Sequence, residues 1–314
     1  MNTPIHKLCA LCLLLLAPLT ATSTEPNFPV TPEVLVEGVF PGCEGIAFNG
    51  EGRLFVTGGK ALWEINTDGT ASKLTELLSN LGLAGYGEKD LLVADFGATN
   101  AFRHQKNQDG IIWRISPEGQ KQPWLANAIG DPNFILVRND ASILVSDDVT
   151  NEVFLIHPDQ RIELFTTAVN HPNGLALSDD GRTLFVAQIF SSIKPIVADN
   201  KLWSINLNES GHPIAAATLA LALPDPKAAP DGLVMDVLGR VYIAANNAGQ
   251  VWRFDPKTRS HTLIAEGVFG AASMAFGEGA FDHESIYLTT TYAQNRGGKV
   301  YRIPVGVKGQ VLHR

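Results

Sequence analysis

Short apolar runs separated by turn-forming residues recur along this chain, and one kind of run keeps a beat: ALWEI, IIWRI, EVFLI, KLWSI, QVWRF and KVYRI, each with an aromatic residue at its centre. The centres, Trp63, Trp113, Phe154, Trp203, Trp252 and Tyr301, stand about 50, 41, 49, 49 and 49 residues apart. That spacing is too long for a hairpin repeat and suits a four-stranded propeller blade. Within a unit the order is fixed. A turn-like tripeptide leads into an apolar run (GIAF, GLAL, GLVM), then a tight turn, a second run (RLFVTG, TLFVAQ, RVYIAA) and the aromatic strand. Turn compositions such as NTDG, SPEG and DPKT follow, leading to a fourth run such as RIELFTT or SHTLIAEG. The pattern predicts an all-β fold, a six-bladed β-propeller with four antiparallel strands in each blade.

The last unit lacks its fourth run, because nothing strand-like follows IPVGVKG after Tyr301. The N-terminal side has a spare one. Residues 33–40 (EVLVEGVF) resemble the fourth-strand segment 262–269 (TLIAEGVF), down to the shared EGVF. We expect this segment to pair outside residues 299–303 and close the ring, removing the exposed edges an open ring would leave.

Composition adds a compartment and removes some partners. Residues 1–7 end in a lysine, residues 8–16 are an apolar run, and Ala21-Thr22-Ser23 is a small-residue cleavage pattern. Residues 1–23 therefore read as a secretory signal peptide, and residues 24–314 as a single propeller domain undivided by any linker. The apolar run is about half the length a membrane span needs, which argues against an anchor after cleavage. Cleavage would remove Cys9 and Cys12 and leave Cys43 alone, so no internal disulfide is expected; a secreted chain with one thiol fits a bacterial periplasm. The formal charge of −8 becomes −9 once the single lysine of the signal, Lys7, is lost, and it is spread without long charge runs. Nucleic acid is therefore not expected as a partner.

Symmetry converts sequence position into geometry. In a closed propeller the innermost strands run along the axis in one direction, so equivalent positions at their starts form a ring at one mouth. Those positions are Glu44, the apolar Leu83-Ala84-Gly85, Asn133, Asn173, Asp231 and Ala272. Glu44, Asn133, Asn173 and Asp231 offer only hard oxygen donors and two formal negative charges, the chemistry of a Ca²⁺ site, or of another divalent cation. Zinc would call for His or Cys, and neither recurs in the ring.

These motifs carry a family likeness. The E-G opening at Glu44-Gly45, Pro132-Asn133, Pro172-Asn173-Gly174, Pro230-Asp231-Gly232 and the G-x-Y-R-I to GVKG stretch of residues 298–309 resemble the pattern of SMP-30/gluconolactonase/LRE-like (regucalcin-like) six-bladed propellers, over essentially the whole mature chain. The resemblance implies that Glu44, Asn173 and Asp231 bind the metal directly, with Asn133 a further ligand or a contact to water and substrate, and that lactone hydrolysis is the reference activity. The chain also departs from the pattern. Where relatives that handle sugar lactones often carry Arg two residues before the third-blade Asn and Asp just after it, this chain has Asp131 and Phe134. With a cationic hydroxyl-binding group replaced and an aromatic added, we expect hydrophobic lactones or esters to be preferred over gluconolactone.

His171, two residues before Asn173, is a candidate base or substrate contact at the same mouth. Cys43 abuts Glu44 with no catalytic partner pattern and reads as a packed thiol. Two long polar excursions, residues 97–110 in blade 2 and 191–200 in blade 4, are expected to wall the pocket, with Phe102, Arg103, His104, Phe190 and Ile193 as candidate contacts. The expected activity is calcium-dependent opening of a small-molecule lactone or related ester. Asp231 would accept the proton of the attacking water, with Asn133 and Asn173 positioning substrate and oxyanion. The alternative is a non-catalytic binding module whose calcium only plugs the channel.

Overall fold

The computed structural model of the protein describes residues 25–79, 81–98, 107–291 and 297–314. The signal segment 1–23, with Cys9 and Cys12, and the candidate contacts Phe102, Arg103 and His104 lie outside the described residues. The described residues form 24 strands and no helix.

A first strand, β1 (Glu33–Glu37), precedes the blades. Blade 1 holds β2 (Cys43–Phe48), β3 (Leu54–Gly58), β4 (Ala61–Ile65) and β5 (Ala71–Glu76). Blade 2 follows with β6 (Leu83–Tyr86), β7 (Asp90–Asp95), β8 (Ile111–Ile115) and β9 (Lys121–Ala126). Blade 3 comprises β10 (Pro132–Val137), β11 (Ile143–Asp147), β12 (Val153–Ile156) and β13 (Ile162–Thr166). Blade 4 is built from β14 (Pro172–Leu177), β15 (Thr183–Ile193), β16 (Ile196–Asn206) and β17 (Thr218–Ala222). In blade 5 stand β18 (Pro230–Met235), β19 (Val241–Ala245), β20 (Gln250–Asp255) and β21 (Ser260–Glu266). The sixth blade contributes β22 (Ala271–Phe276), β23 (Ser285–Thr290) and β24 (Lys299–Pro304). Every sheet has four antiparallel strands, and β1 supplies the fourth strand of the sixth, in the order β1-β24-β23-β22. Glu33 pairs with Arg302 and Glu37 with Lys299, so the ring is closed where the sequence predicts, although the strand ends at Glu37 and not at Phe40.

The apolar residues of this fold bury between blades. Six clusters occupy the six interfaces: Ala187 and Leu202 of blade 4, for example, meet Leu233 and Ile243 of blade 5, while Val36, Ala275 and Val300 of blade 6 meet Val56 of blade 1. The recurring aromatic residues sit half-buried against these clusters, and their indole N–H groups are spent within the blade: Trp63 on Gly58 O, Trp113 on Asp95, Trp203 on Gln188. They are blade core, as expected of them.

Two devices fix the mouth. In five blades the pairing of the first and second strands slips just after its start, as between Pro172 and Leu175 or Pro230 and Leu233. Such a bulge re-aims the residue it contains, here the one that faces the axis. Neighbouring innermost strands also approach closely. A Cβ on Gly174 would lie 2.2 Å from Asp231 O, and one on Gly232 2.5 Å from Ala272 O. The glycine of each N-G or D-G pair is thus required by contact with the next blade.

Candidate metal and ligand site

Hydroxyl groups lock the ring residues from blade to blade. Thr57 Oγ1 accepts from Gly45 N at 2.8 Å and donates to Leu81 O at 2.7 Å; Ser146 Oγ donates to Asn173 O at 2.7 Å, and Thr289 Oγ1 donates to Glu44 O. The link to Leu81 corrects one position. The blade-2 member of the ring, expected at Leu83-Ala84-Gly85, is Leu81. β6 starts at Leu83 without a bulge, and its pairing with Val93 corresponds to that of Ile46 with Val56, placing the axial position two residues earlier. The ring is therefore Glu44, Leu81, Asn133, Asn173, Asp231 and Ala272.

Glu44, Leu81, Asn133, Asn173 and Asp231 all line one cavity of ≈ 570 Å³ at the mouth. A second tier encircles it. Phe96, Asp148, Asn246 and Thr291 directly follow the second strands of blades 2, 3, 5 and 6, Ile189 holds the equivalent place within the longer β15 of blade 4, and all five line the cavity. Asp148 is the functional candidate that reading from the strand starts misses. The signal was available: it is the same offset in every blade, and only blade 3 places a carboxylate there.

The polar groups are held by one another. Asn133 Nδ2 donates to Asp148 Oδ2 at 3.0 Å, and Asn246 Nδ2 to Asp231 Oδ2 at 2.8 Å. Asn173 Oδ1 and Asp148 Oδ1 are buried and accept no hydrogen bond. Burial raises all three carboxyls above the ordinary range. Glu44 is pushed up further by Asp231 and Asp148, and Asp148 by Asp147, Asp231 and Asp131. A cluster of buried, mutually repelling carboxylates with orphaned oxygens is unfavourable unless protons or a cation neutralise it. Among the described residues no group of three His, Cys, Asp or Glu side chains closes tightly enough to hold a metal alone. The donor set that fits a hard cation is mixed, carboxylates with the Asn173 and Asn133 amides, and contains oxygen only.

Three candidate contacts stand elsewhere. Phe134, expected beside the ion, packs against the cluster between blades 3 and 4 and lines a different cavity, farther down the channel, because the bulge sends consecutive residues of β10 opposite ways. Asp131 does not reach the mouth; its carboxylate accepts Asn107 Nδ2 at 3.0 and 3.2 Å in a hollow shared with Asp147. His171 lies behind the wall. Its Nδ1 donates to Asp148 O at 2.9 Å and its ring meets Phe190 edge-on at 6.4 Å, so it supports Asp148 and Phe190 and does not face the cavity. Cys43 is fully buried, its Sγ near Thr290 O and Lys299 O, and burial pushes its thiol up to about 12. Of the two blade-4 candidate contacts, Phe190 lines the cavity and Ile193 does not, while Ile196, Val197 and Ala198 of the same excursion do.

Fold and site together define a six-bladed β-propeller with an oxygen-lined axial mouth. Residues 145–292 match the SMP-30/Gluconolactonase/LRE-like region, so the resemblance carried by the motifs holds; that stretch includes Asp148, Asn173 and Asp231. Among curated proteins, the chain is 27% identical over 210 residues to a regucalcin of Xenopus laevis, covering 62% of each chain. It is 28% identical over 140 residues to a gluconolactonase of Zymomonas mobilis, covering 43% of this chain and 37% of that one. The chain thus spans less than two thirds of the length of these relatives. Solved structures share the fold: a gluconolactonase of Xanthomonas campestris (TM-score 0.68, 19% identity, 87% of this chain and 88% of that one) and a calcium-binding regucalcin of Agrobacterium tumefaciens (TM-score 0.67, 17% identity, 91% and 97%).

Proposed function

We propose that this protein is a calcium-dependent hydrolase that opens a lactone, or a related carboxylic ester, with water. The observation that supports the reading is the mouth itself, where unpartnered buried oxygens and repelling carboxylates share a cavity large enough for a small molecule. Glu44, Asn173, Asp231 and Asn133 would hold the ion. Calcium, when bound, polarises the ester carbonyl and lowers the pKa of water at the site.

The chain's own groups supply the rest. Asp231 keeps one carboxylate oxygen free of the Asn246 hydrogen bond, and that oxygen accepts the proton of the attacking water. Asn133 donates one amide hydrogen to Asp148 and has a second for the carbonyl oxygen as it becomes an oxyanion. Asn173 fixes the opposite side. Hydroxide adds to the acyl carbon, the acyl–oxygen bond breaks, the proton passes to the departing alkoxide, and the product is the hydroxy acid. Residues 1–23 read as an export signal, so we place this activity outside the cytoplasm, in the periplasm if the source is bacterial.

A panel of aliphatic, aromatic and sugar lactones, assayed with calcium and with chelator, tests the reading. Chelator-sensitive hydrolysis that falls about 100-fold or more in Asp231→Ala is expected. Calcium-dependent melting without turnover of any member would favour the binding-module alternative.

A further inference from the structure

Blade 4 differs from the others in one respect. Second and third strands run four to six residues in the other five blades, whereas β15 and β16 run 11 each. Their pairing continues past Gln188 and Lys201 to Ile193 and Ile196, with two register shifts on the way. The second strand of each blade ends at the mouth, so the additional residues rise above it by about 15 Å.

The base of this hairpin is tied down. Gln188 Nε2 donates to Asp199 Oδ2 at 3.1 Å, Lys201 Nζ pairs with Asp199 at 2.8 Å, and His171 backs Phe190. Its cavity side is apolar: Phe190, Ile196, Val197 and Ala198 line the mouth together with Ile189 of the same blade. Ile196 and Val197 are 58% and 42% exposed. Lys227 and Asn247 of the neighbouring blade 5 and Thr291 of blade 6 bring polar groups to the same cavity. The oxygen donors stand at the strand starts, and the blade-4 side of the cavity above them is apolar. An ion with its waters needs only the donors.

We propose that the blade-4 hairpin is a specificity arm that covers an acyl or aryl substituent on the substrate, so that lactones or esters carrying an apolar chain are preferred over polyhydroxylated ones. This deepens the hydrolase reading above and rests on it for the position of the ester. The preference expected from Asp131 and Phe134 thus returns on different residues. Burying the chain against Phe190, Ile196 and Val197 removes apolar surface of both partners from water, while sugar hydroxyls on that wall would be left without hydrogen-bond partners.

The test separates the arm from the chemistry by using ligands that cannot be hydrolysed. Affinities of the calcium-loaded full chain for an unsubstituted γ-lactam and a hexyl-substituted γ-lactam are measured by calorimetry. The hexyl lactam should bind about tenfold more tightly. The double variant Ile196→Ser/Val197→Ser, at exposed positions and with an unchanged melting temperature as control, should bring the two affinities together without changing that of the unsubstituted ring. Equal affinities in the parent, no binding of either lactam, or a preference that survives in the double variant overturns the arm. Hydrolysis of the corresponding lactones is scored separately. Absent turnover with an intact lactam preference sinks the hydrolase reading alone.

Discussion

The two ends of one channel are lined by the same six strands and could hardly differ more. At the mouth the starts of the strands present Glu44, Asn133, Asn173 and Asp231, with Asp148 from the second tier. At the far end, residues such as Ile46, Phe48, Leu136, Leu175, Leu233 and Met274 line a cavity of ≈ 450 Å³. Residues 310–314 also line that cavity; Gln310 N donates to Met235 O at 2.9 Å, Gln310 Nε2 donates to Leu177 O at 3.2 Å, and Arg314 pairs with Glu278. A few residues of strand separate a floor of repelling carboxylates from ordinary packing. Stability resides in the far end and the inter-blade clusters; the mouth draws on it, since its buried charges oppose folding until they are neutralised.

Deleting β1 should erase the contrast altogether. A chain starting at Gly42 keeps every ring residue but bares the edge of β24, and is expected to lose cooperative unfolding or to aggregate, since both ends need a closed ring. An unchanged thermal midpoint would show that closure does not matter. Phe48→Ala affects the far end only. Phe48 is buried against Phe281 and Tyr287, with ring centroids 5.2 and 6.1 Å away, and its truncation should cost about 3–5 kcal/mol in denaturant unfolding. The calcium response should survive that loss, because distant sites add.

Calcium probes the mouth only. Saturation at a hundredfold excess over Kd should add roughly 2.7 kcal/mol, about 4 °C in melting temperature for a domain of this size, and Asp231→Ala should abolish the shift. A wild type, stripped of metal, that melts at the same temperature with and without added calcium would remove the cation from the account.

The last effect is one of pH. Burial holds Asp147 at about 6 and keeps Glu44, Asp148 and Asp231 above the usual range, so the metal-free folded chain binds more protons than the unfolded one once pH exceeds the ordinary carboxylate values. Stability must then fall as pH rises from about 4 through 6. Melting curves between pH 4 and pH 7 should show the decline in chelator and a flatter profile in calcium. A metal-free protein that gains stability over that interval would contradict the carboxylate assignment.

Sequence periodicity carries the architecture because each blade repeats one order of runs, and the spare EVLVEGVF segment betrays the closing strand. Five of the six ring residues are legible for the same reason. The misses share a cause. Leu81 is displaced because blade 2 lacks the bulge its neighbours have, and Phe134 because a bulge splits adjacent residues between two cavities, so equal offsets stop meaning equal directions. Asp148 lies outside the strand starts, in a tier visible only once the second strands are registered against the first. The blade-4 wall is legible as the excursion of residues 191–200, with Phe190 as a contact; what escapes is that Ile196 and Val197, and not Ile193, line the cavity, because they belong to a hairpin whose height above the mouth no repeat records.

The pairing of β1 with β24 also sets an order in time. Glu33 and Arg302, joined across it, are 269 residues apart, whereas the strands inside a blade meet over short loops. Closure entropy grows with the length of chain enclosed, so remote contacts form after local ones. Glu44 enters from blade 1 and Asp231 from blade 5, and they face each other only when the circle is complete. The first five sheets and three strands of the sixth can therefore be in place while the cation site does not yet exist. In a refolding experiment, acquisition of calcium affinity is then a clock for the final step, ticking only after the spectroscopic signs of β-structure have already saturated.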